Sequence, residues 1–172
     1  MKRSSEKGFT LVELLVVITI IGILAALLLP QIAKAIRSAK TTACATNLRS
    51  LQQSMMTYAI QYGGMYKNMP SDTGINFWLK LQNTPKPIID RYEVFLCPIA
   101  GGEVGPGNVG YRGPSANVNK MEDKDPIGAD KNQPENNHGP GEGGNVITRT
   151  GDVQRYDETD PMWQAAETKT TN

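Results

Sequence analysis

The sequence predicts an α+β fold, in which one long N-terminal helix packs on a small antiparallel sheet with long Gly/Pro-rich loops. Three observations predict it. Residues 9–29 form a largely apolar run whose single ionisable group is Glu13, an apolar stripe at helical spacing follows from Cys44 to Tyr62, and short extended segments bounded by turn residues lie near the C-terminus. The chain has 172 residues, about one domain's worth, which argues against a large multidomain enzyme. With 18 Lys+Arg against 17 Asp+Glu, it lacks the basic excess that marks a nucleic-acid partner. Its 2 cysteines and 1 histidine are too few for a zinc module built on four such ligands.

The first element is a spanning helix. Residues 9–29 as a helix reach about 30 Å, the thickness of a bilayer's hydrocarbon core. The preceding segment carries Lys2, Arg3 and Lys7 against Glu6, so the positive flank is expected in the cytoplasm and the C-terminal bulk outside it. An ordinary secretory signal cleaved near Ala33-Lys34-Ala35 is the competing reading, although its apolar region usually runs only ~7–15 residues. Glu13 also argues against it. A carboxylate in hydrocarbon costs at least ~2.5–3.5 kcal/mol, so Glu13 is read as functional and in need of a cationic partner.

Residues Lys7-Gly8-Phe9-Thr10-Leu11-Val12-Glu13-Leu14 carry a family resemblance. The run resembles the class III signal of type IV pilins and type II secretion pseudopilins, where a basic leader ends in Gly before Phe and an acid stands fifth in the mature chain. The resemblance implies cleavage after Gly8 by a prepilin peptidase, N-methylation of Phe9, and assembly out of the inner membrane. It also implies that Glu13 meets the Phe9 ammonium of a neighbouring subunit, while helix geometry leaves open an intramolecular pair with the chain's own Phe9 amine before assembly. Charge pairing makes physical sense of this, because two charges leave water tolerably only when they meet.

Four segments are expected: 1–8 leader, 9–30 transmembrane helix, 31–62 amphipathic continuation and 63–172 extracytoplasmic head. Gly22 and Pro30 mark a stretch that either kinks and melts locally or is simply tolerated within a membrane helix. Beyond it Cys44, Leu48, Leu51, Met55, Tyr58 and Tyr62 recur at intervals of 4, 3, 4, 3 and 4, one face of a helix that should end at Gly63-Gly64. A helix continuous over 9–62 would be a rod of about 80 Å. Lys34, Arg37, Lys40 and Arg49 have no acid among them, while the head holds 11 basic and 15 acidic residues. The cations therefore either pair with a neighbouring head or form a collar against lipid headgroups.

In the head, residues 75–81 predict a short helix and residues 91–96 a strand stopped by Pro98. Residues 98–144, with 11 glycines and 6 prolines, read as loop rather than core, with at most an edge strand around Tyr111 and Val118. Two strands around a turn are expected from residues 144–149 and 152–156. The His-Gly, Asn-Val, Asp-Gly-His-Val ending common in pilin-like proteins is similar to residues 137–153, but here Thr150-Gly151-Asp152 replaces the Asp-Gly-His.

Four sites follow from these readings. Gly8 and Phe9 form the processing junction, Glu13 is the assembly residue, and Cys44 and Cys97 are a disulfide in an oxidising compartment or else two buried thiols. Asp123, Asp125 and Asp130, with Asn132 and Glu135 nearby, offer oxygen ligands for calcium or are a solvated acidic loop. The resemblance favours calcium only by analogy with the major pseudopilin. His138 sits among turn residues without a nucleophile beside it, so no catalytic residue, enzymatic activity or organic cofactor is expected.

The function implied is a structural subunit of a type II secretion pseudopilus. Its partners would be its own copies, other pseudopilins, the prepilin peptidase and methylase, an inner-membrane platform with a separate ATPase, and membrane lipid, with no nucleic acid. The assembled filament would lie in the periplasm or at the cell surface. Alternatives are a type IV pilus subunit for adhesion, motility or DNA uptake, or a non-polymerising bitopic membrane protein.

Overall fold

The computed structural model describes residues 9–64, 68–99, 101–131 and 143–172. The chain divides into two compact units, Met1–Ser38 and Ala39–Asn172. Helix α1, Leu11–Tyr62, contributes to both and remains helical through Gly22 and Pro30. In the first unit every described residue of it is exposed, including the cationic Lys34 and Arg37. That apolar part is long enough to cross a membrane.

In the second unit the same helix becomes a core element. Cys44, Leu48, Leu51 and Met55 are fully buried, as the periodicity predicts, with Thr41, Gln52 and Ala59 also buried. The stripe leaves the core at its end, where Tyr62 is exposed and its ring packs on that of half-buried Tyr58. Gly64 takes a left-handed φ of 69° just past the helix, a conformation that glycine adopts without strain.

The α+β prediction holds. After α2, Ile75–Leu79, come β1 (Tyr111–Pro114), β2 (Pro126–Asp130), β3 (Gly144–Thr148), β4 (Val153–Tyr156), α3 (Pro161–Lys169) and β5 (Thr170–Thr171). They form one sheet ordered β4-β3-β2-β1-β5, with each strand antiparallel to its neighbours. One face packs on α1 and α2 through Tyr111, Ile127, Ile147 and Val153. The other packs on α3, where Ala129 and Val146 meet Trp163 and Ala166. The head is therefore three layers, helix on sheet on helix.

Three expectations change. Residues 91–96 are not a strand, because Tyr92–Phe95 is a 3-10 turn that buries the consecutive residues Val94 and Phe95. The carbonyls there serve other partners: Gly110 N–H donates to Phe95 O at 2.7 Å, while Asn47 Nδ2 and the Tyr111 hydroxyl both donate to Leu96 O. Residues 98–144 are not all loop, since β2 is buried at every position and lies at the centre of the sheet. Its small residues are there for packing. A Cβ on Gly128 would come within 2.7 Å of the Trp78 ring and 2.9 Å of the Ile147 side chain. Similarly, β1 is not an edge strand but lies between β2 and β5, and Val118 opens a 3-10 turn.

Helix α3 adds an element that the sequence expectations do not include. Asp160 Oδ1 accepts from Met162 N–H at 2.8 Å, Pro161 opens the helix, and Trp163 then reaches the sheet.

The seam between α1 and the head is held by more than apolar contact. Cys44 and Cys97 are joined by a disulfide with Cα atoms 5.1 Å apart. Arg49 donates to Val153 O and Gln52 Nε2 to Arg149 O, both at 2.9 Å. Buried Tyr111 donates to Leu96 O at 3.1 Å, and burial followed by the nearby Asp130 charge pushes its phenol well above the ordinary value.

Two outcomes follow. Chain-entropy arithmetic for the 53-residue separation gives about 4 kcal/mol as the upper end of what the disulfide contributes. The Cys44→Ser, Cys97→Ser double variant should therefore melt well below the parent, and non-reducing peptide mapping of the parent should recover one linked pair. The Tyr111 phenol holds its proton more tightly folded than unfolded, so its contribution is complete below about pH 10 and declines above it. Thermal melts of the detergent-solubilised chain should fall more steeply above that pH than those of Tyr111→Phe, which loses about 1 kcal/mol at neutral pH.

Candidate functional site

The N-terminus of α1 shows how the sequence manages its one acid in an apolar run. Thr10 precedes the helix and Glu13 lies in its first turn. The Thr10 N–H donates to Glu13 Oε2 at 2.8 Å, the Thr10 hydroxyl donates to the same oxygen at 2.7 Å, and Glu13 N–H donates back to Thr10 Oγ1 at 3.3 Å. This is a capping box of the pattern Thr-x-x-Glu. Backbone N–H groups at a helix start have no intrahelical acceptor, and a carboxylate there also faces the positive end of the helix dipole.

The partner of Glu13 within the chain is thus Thr10. In this chain the Phe9 nitrogen belongs to the Gly8–Phe9 peptide bond and carries no charge, so it offers the carboxylate no ion pair. Phe9 itself is 75% exposed, and Gly8 with the rest of the leader lies outside the described residues. The signal for Thr10 was present in the sequence, because Ser or Thr followed three residues later by Glu before an apolar run marks a capped helix start.

In the head, the three aspartates do not converge. Asp123 pairs with Arg149 at 2.6 Å and Asp125 with Lys169 at 2.5 Å, both just before β2. Lys169, with help from the Glu122 N–H, holds the Asp125 carboxyl below its usual range. Asp130 lies at the far end of β2, roughly 16 Å along an extended chain from Asp125. Its Oδ2 accepts from Asn145 N–H at 2.7 Å and from Asn145 Nδ2 at 2.9 Å, and that amide also donates to Thr41 O on α1. Asn132, Glu135 and His138 lie outside the described residues.

Asp130 instead joins another group. A carboxylate oxygen of Asp130 and the sulfurs of Cys44 and Cys97 lie within 4.8 Å of one another, all buried. Metal binding by cysteine requires thiolates, and here the two sulfurs are bonded to each other. The group therefore works as a structural junction where α1, β2 and the Cys97 segment meet. Asn145, the asparagine of the Asn-Val pair in the pilin-like ending, completes it, a structural role that the motif by itself does not indicate.

Comparison with known proteins follows the same division. The family described as "Prokaryotic N-terminal methylation motif" matches residues 3–29. The chain is 37% identical over 60 residues to the type II secretion system core protein G of Pseudomonas aeruginosa, covering 35% of this chain and 42% of that protein. It is 32% identical over 101 residues to the type IV wide pilus major component PilA4 of Thermus thermophilus, covering 59% of this chain and 77% of that protein. No solved structure matches it. An apolar helix capped by Thr10 and Glu13, the methylation motif around it and a likeness that continues into the head together place the chain in the family of type IV pilins and pseudopilins.

Proposed function

We propose that this chain is a structural subunit of a type II secretion pseudopilus. The observation that carries the reading is the junction Gly8-Phe9 followed by Glu13 at the head of an apolar helix, within the matched methylation motif. Likeness to the secretion core protein supports the choice of system. The chain is anchored in the inner membrane by one span, with its leader cytoplasmic and its head periplasmic. A prepilin peptidase removes residues 1–8 and the Phe9 amine is methylated. Copies then polymerise with one another and with other pseudopilins on an inner-membrane platform driven by a separate ATPase. The role is mechanical rather than catalytic.

Cleavage changes the electrostatics at the helix start. It creates an ammonium at Phe9, and an incoming subunit can bring that cation to the Glu13 carboxylate of a subunit already in the filament. Opposite charges meeting in a low-dielectric surrounding attract strongly, while either alone is costly there. A type IV pilus subunit is the second reading, favoured by the match covering 77% of the wide pilus component.

Intact-mass analysis of the mature protein should place its N-terminus at a methylated Phe9, and Gly8→Leu should block processing. A retained leader, or cleavage near Ala35, would sink the reading. Glu13→Ala should insert and be cleaved normally while the yield of sheared filaments falls severalfold. The two systems separate in a deletion strain: secreted proteins accumulate in the periplasm if the chain serves export, and surface pili disappear if it serves a pilus.

A further inference from the structure

The disulfide has a buried acid beside it. A carboxylate oxygen of Asp130 and the sulfurs of Cys44 and Cys97 lie within 4.8 Å of one another, with Asp130 1% exposed and both cysteines fully buried. The three residues come from separate parts of the head: Cys44 from α1, Cys97 from just beyond the Tyr92–Phe95 turn, and Asp130 from the end of β2. Asn145 on β3 donates to Asp130 Oδ2 from its backbone N–H and from its side-chain amide, and that amide also donates to Thr41 O on α1. The carboxylate is thus held beside the sulfurs by groups other than the sulfurs.

A newly made chain reaches this arrangement with two thiols, because the bridge forms only when an oxidant takes their electrons. Two thiols and a carboxylate at this spacing are a ligand set for a metal ion. Zinc held at roughly 2.3 Å by sulfur and 2.0–2.2 Å by oxygen sets its tetrahedral ligand atoms about 3.5–3.8 Å apart, which these atoms reach once small side-chain rotations separate the sulfurs. Thiolate ligands favour zinc-like cations, whereas calcium and magnesium prefer all-oxygen sites. Two thiolates and one carboxylate carry three negative charges, and a buried site accepts them only with a cation among them.

We infer that, before the bridge forms, Cys44, Cys97 and Asp130 make a binding site for a zinc-like divalent cation. The cation displaces a proton from each thiol and joins α1 to the sheet where the disulfide later does so, with the fourth position left for water. Asn145 is the positioning residue, since a ligating carboxylate is itself oriented by hydrogen-bond donors. A disulfide-bearing oxidant then takes two electrons from the two thiolates. The S–S bond forms, the oxidant leaves as a dithiol carrying two protons, and the cation is released. The site is the same whichever filament the chain enters.

The test uses the full chain in detergent, reduced with a phosphine under anaerobic conditions, with cobalt as the coloured probe and zinc as its competitor. The reduced parent should bind one cobalt with an intense thiolate-to-metal absorption, and zinc should displace the cobalt and raise the melting temperature of the reduced chain. The oxidised parent should show neither effect. Asn145→Ala should bind cobalt about tenfold more weakly, the loss that follows from removing the support of a ligand, and Asp130→Asn more weakly still. The Cys44→Ser, Cys97→Ser double variant should show no thiolate absorption. Circular dichroism of the oxidised form of each single variant checks its fold, and if Asp130→Asn fails that check, Asn145→Ala decides alone.

Absence of the absorption in the reduced parent overturns the site, whether or not that chain keeps its fold. Cobalt binding that survives in the double variant, or an equal zinc shift in the oxidised parent, places the metal elsewhere and overturns it too. Parent-like affinity in a folded Asp130→Asn or in Asn145→Ala removes the carboxylate from the ligand set and refutes the three-residue site.

Discussion

The head depends on a helix face it must share. Tyr111, Ile127, Ile147 and Val153 give the sheet an apolar face that α2, only 5 residues long, cannot cover, and Cys44, Leu48, Leu51 and Met55 of α1 complete the cover. Burying such side chains is worth roughly 1.5–3 kcal/mol each, so this seam is the main source of the head's stability. Everything else in the head is arranged around it. The disulfide fixes Cys97 to α1, while Asn47, Arg49 and Gln52 donate to carbonyls at Leu96, Val153 and Arg149.

One helix thus performs two tasks with two surface chemistries. Between residues 41 and 59 it buries a single stripe and keeps polar residues elsewhere, as a core helix of a soluble domain does. Over its first turns it is apolar on every side, a composition that suits lipid or the interior of a filament. Within that apolar segment the capping box gives the one acid two donors from its own chain. The carboxylate therefore does not stand uncompensated within that segment.

The elements that escaped sequence reading did so for identifiable reasons. β2 is Pro-Ile-Gly-Ala-Asp, a composition shared by loops, and the approach of Trp78 and Ile147 explains why glycine stands at its centre. Gly144 repeats the arrangement on the opposite face, where the Trp163 ring lies 3.0 Å from where a Cβ would be. Two indoles thus select small residues on the strands beneath them, and that relation connects residues far apart in sequence. The 91–96 segment misled in the opposite direction. Its Tyr, Val and Phe are good strand formers, but its carbonyls are claimed by Gly110, Asn47 and Tyr111 rather than by a neighbouring strand. α3, by contrast, was legible from Asp160-Pro161 alone.

Local spacing by itself determined the α+β class, the apolar segment, the buried stripe from Cys44 to Met55, the glycine stop and the hairpin of β3 and β4. Each depends on residues a few positions apart, and periodicity records such relations directly. The Thr10–Glu13 box belongs to the same group. Tertiary structure alone decided that β2 is central, that Asp130 lies beside the disulfide and away from Asp123 and Asp125, and that Asn145 ties Asp130 to Thr41. Strand order, burial of a charged residue and convergence of side chains depend on which distant segments pack together. No pattern in the neighbouring sequence encodes that choice, because it is made by the fit of the Trp78 and Trp163 rings and the α1 seam against the whole sheet.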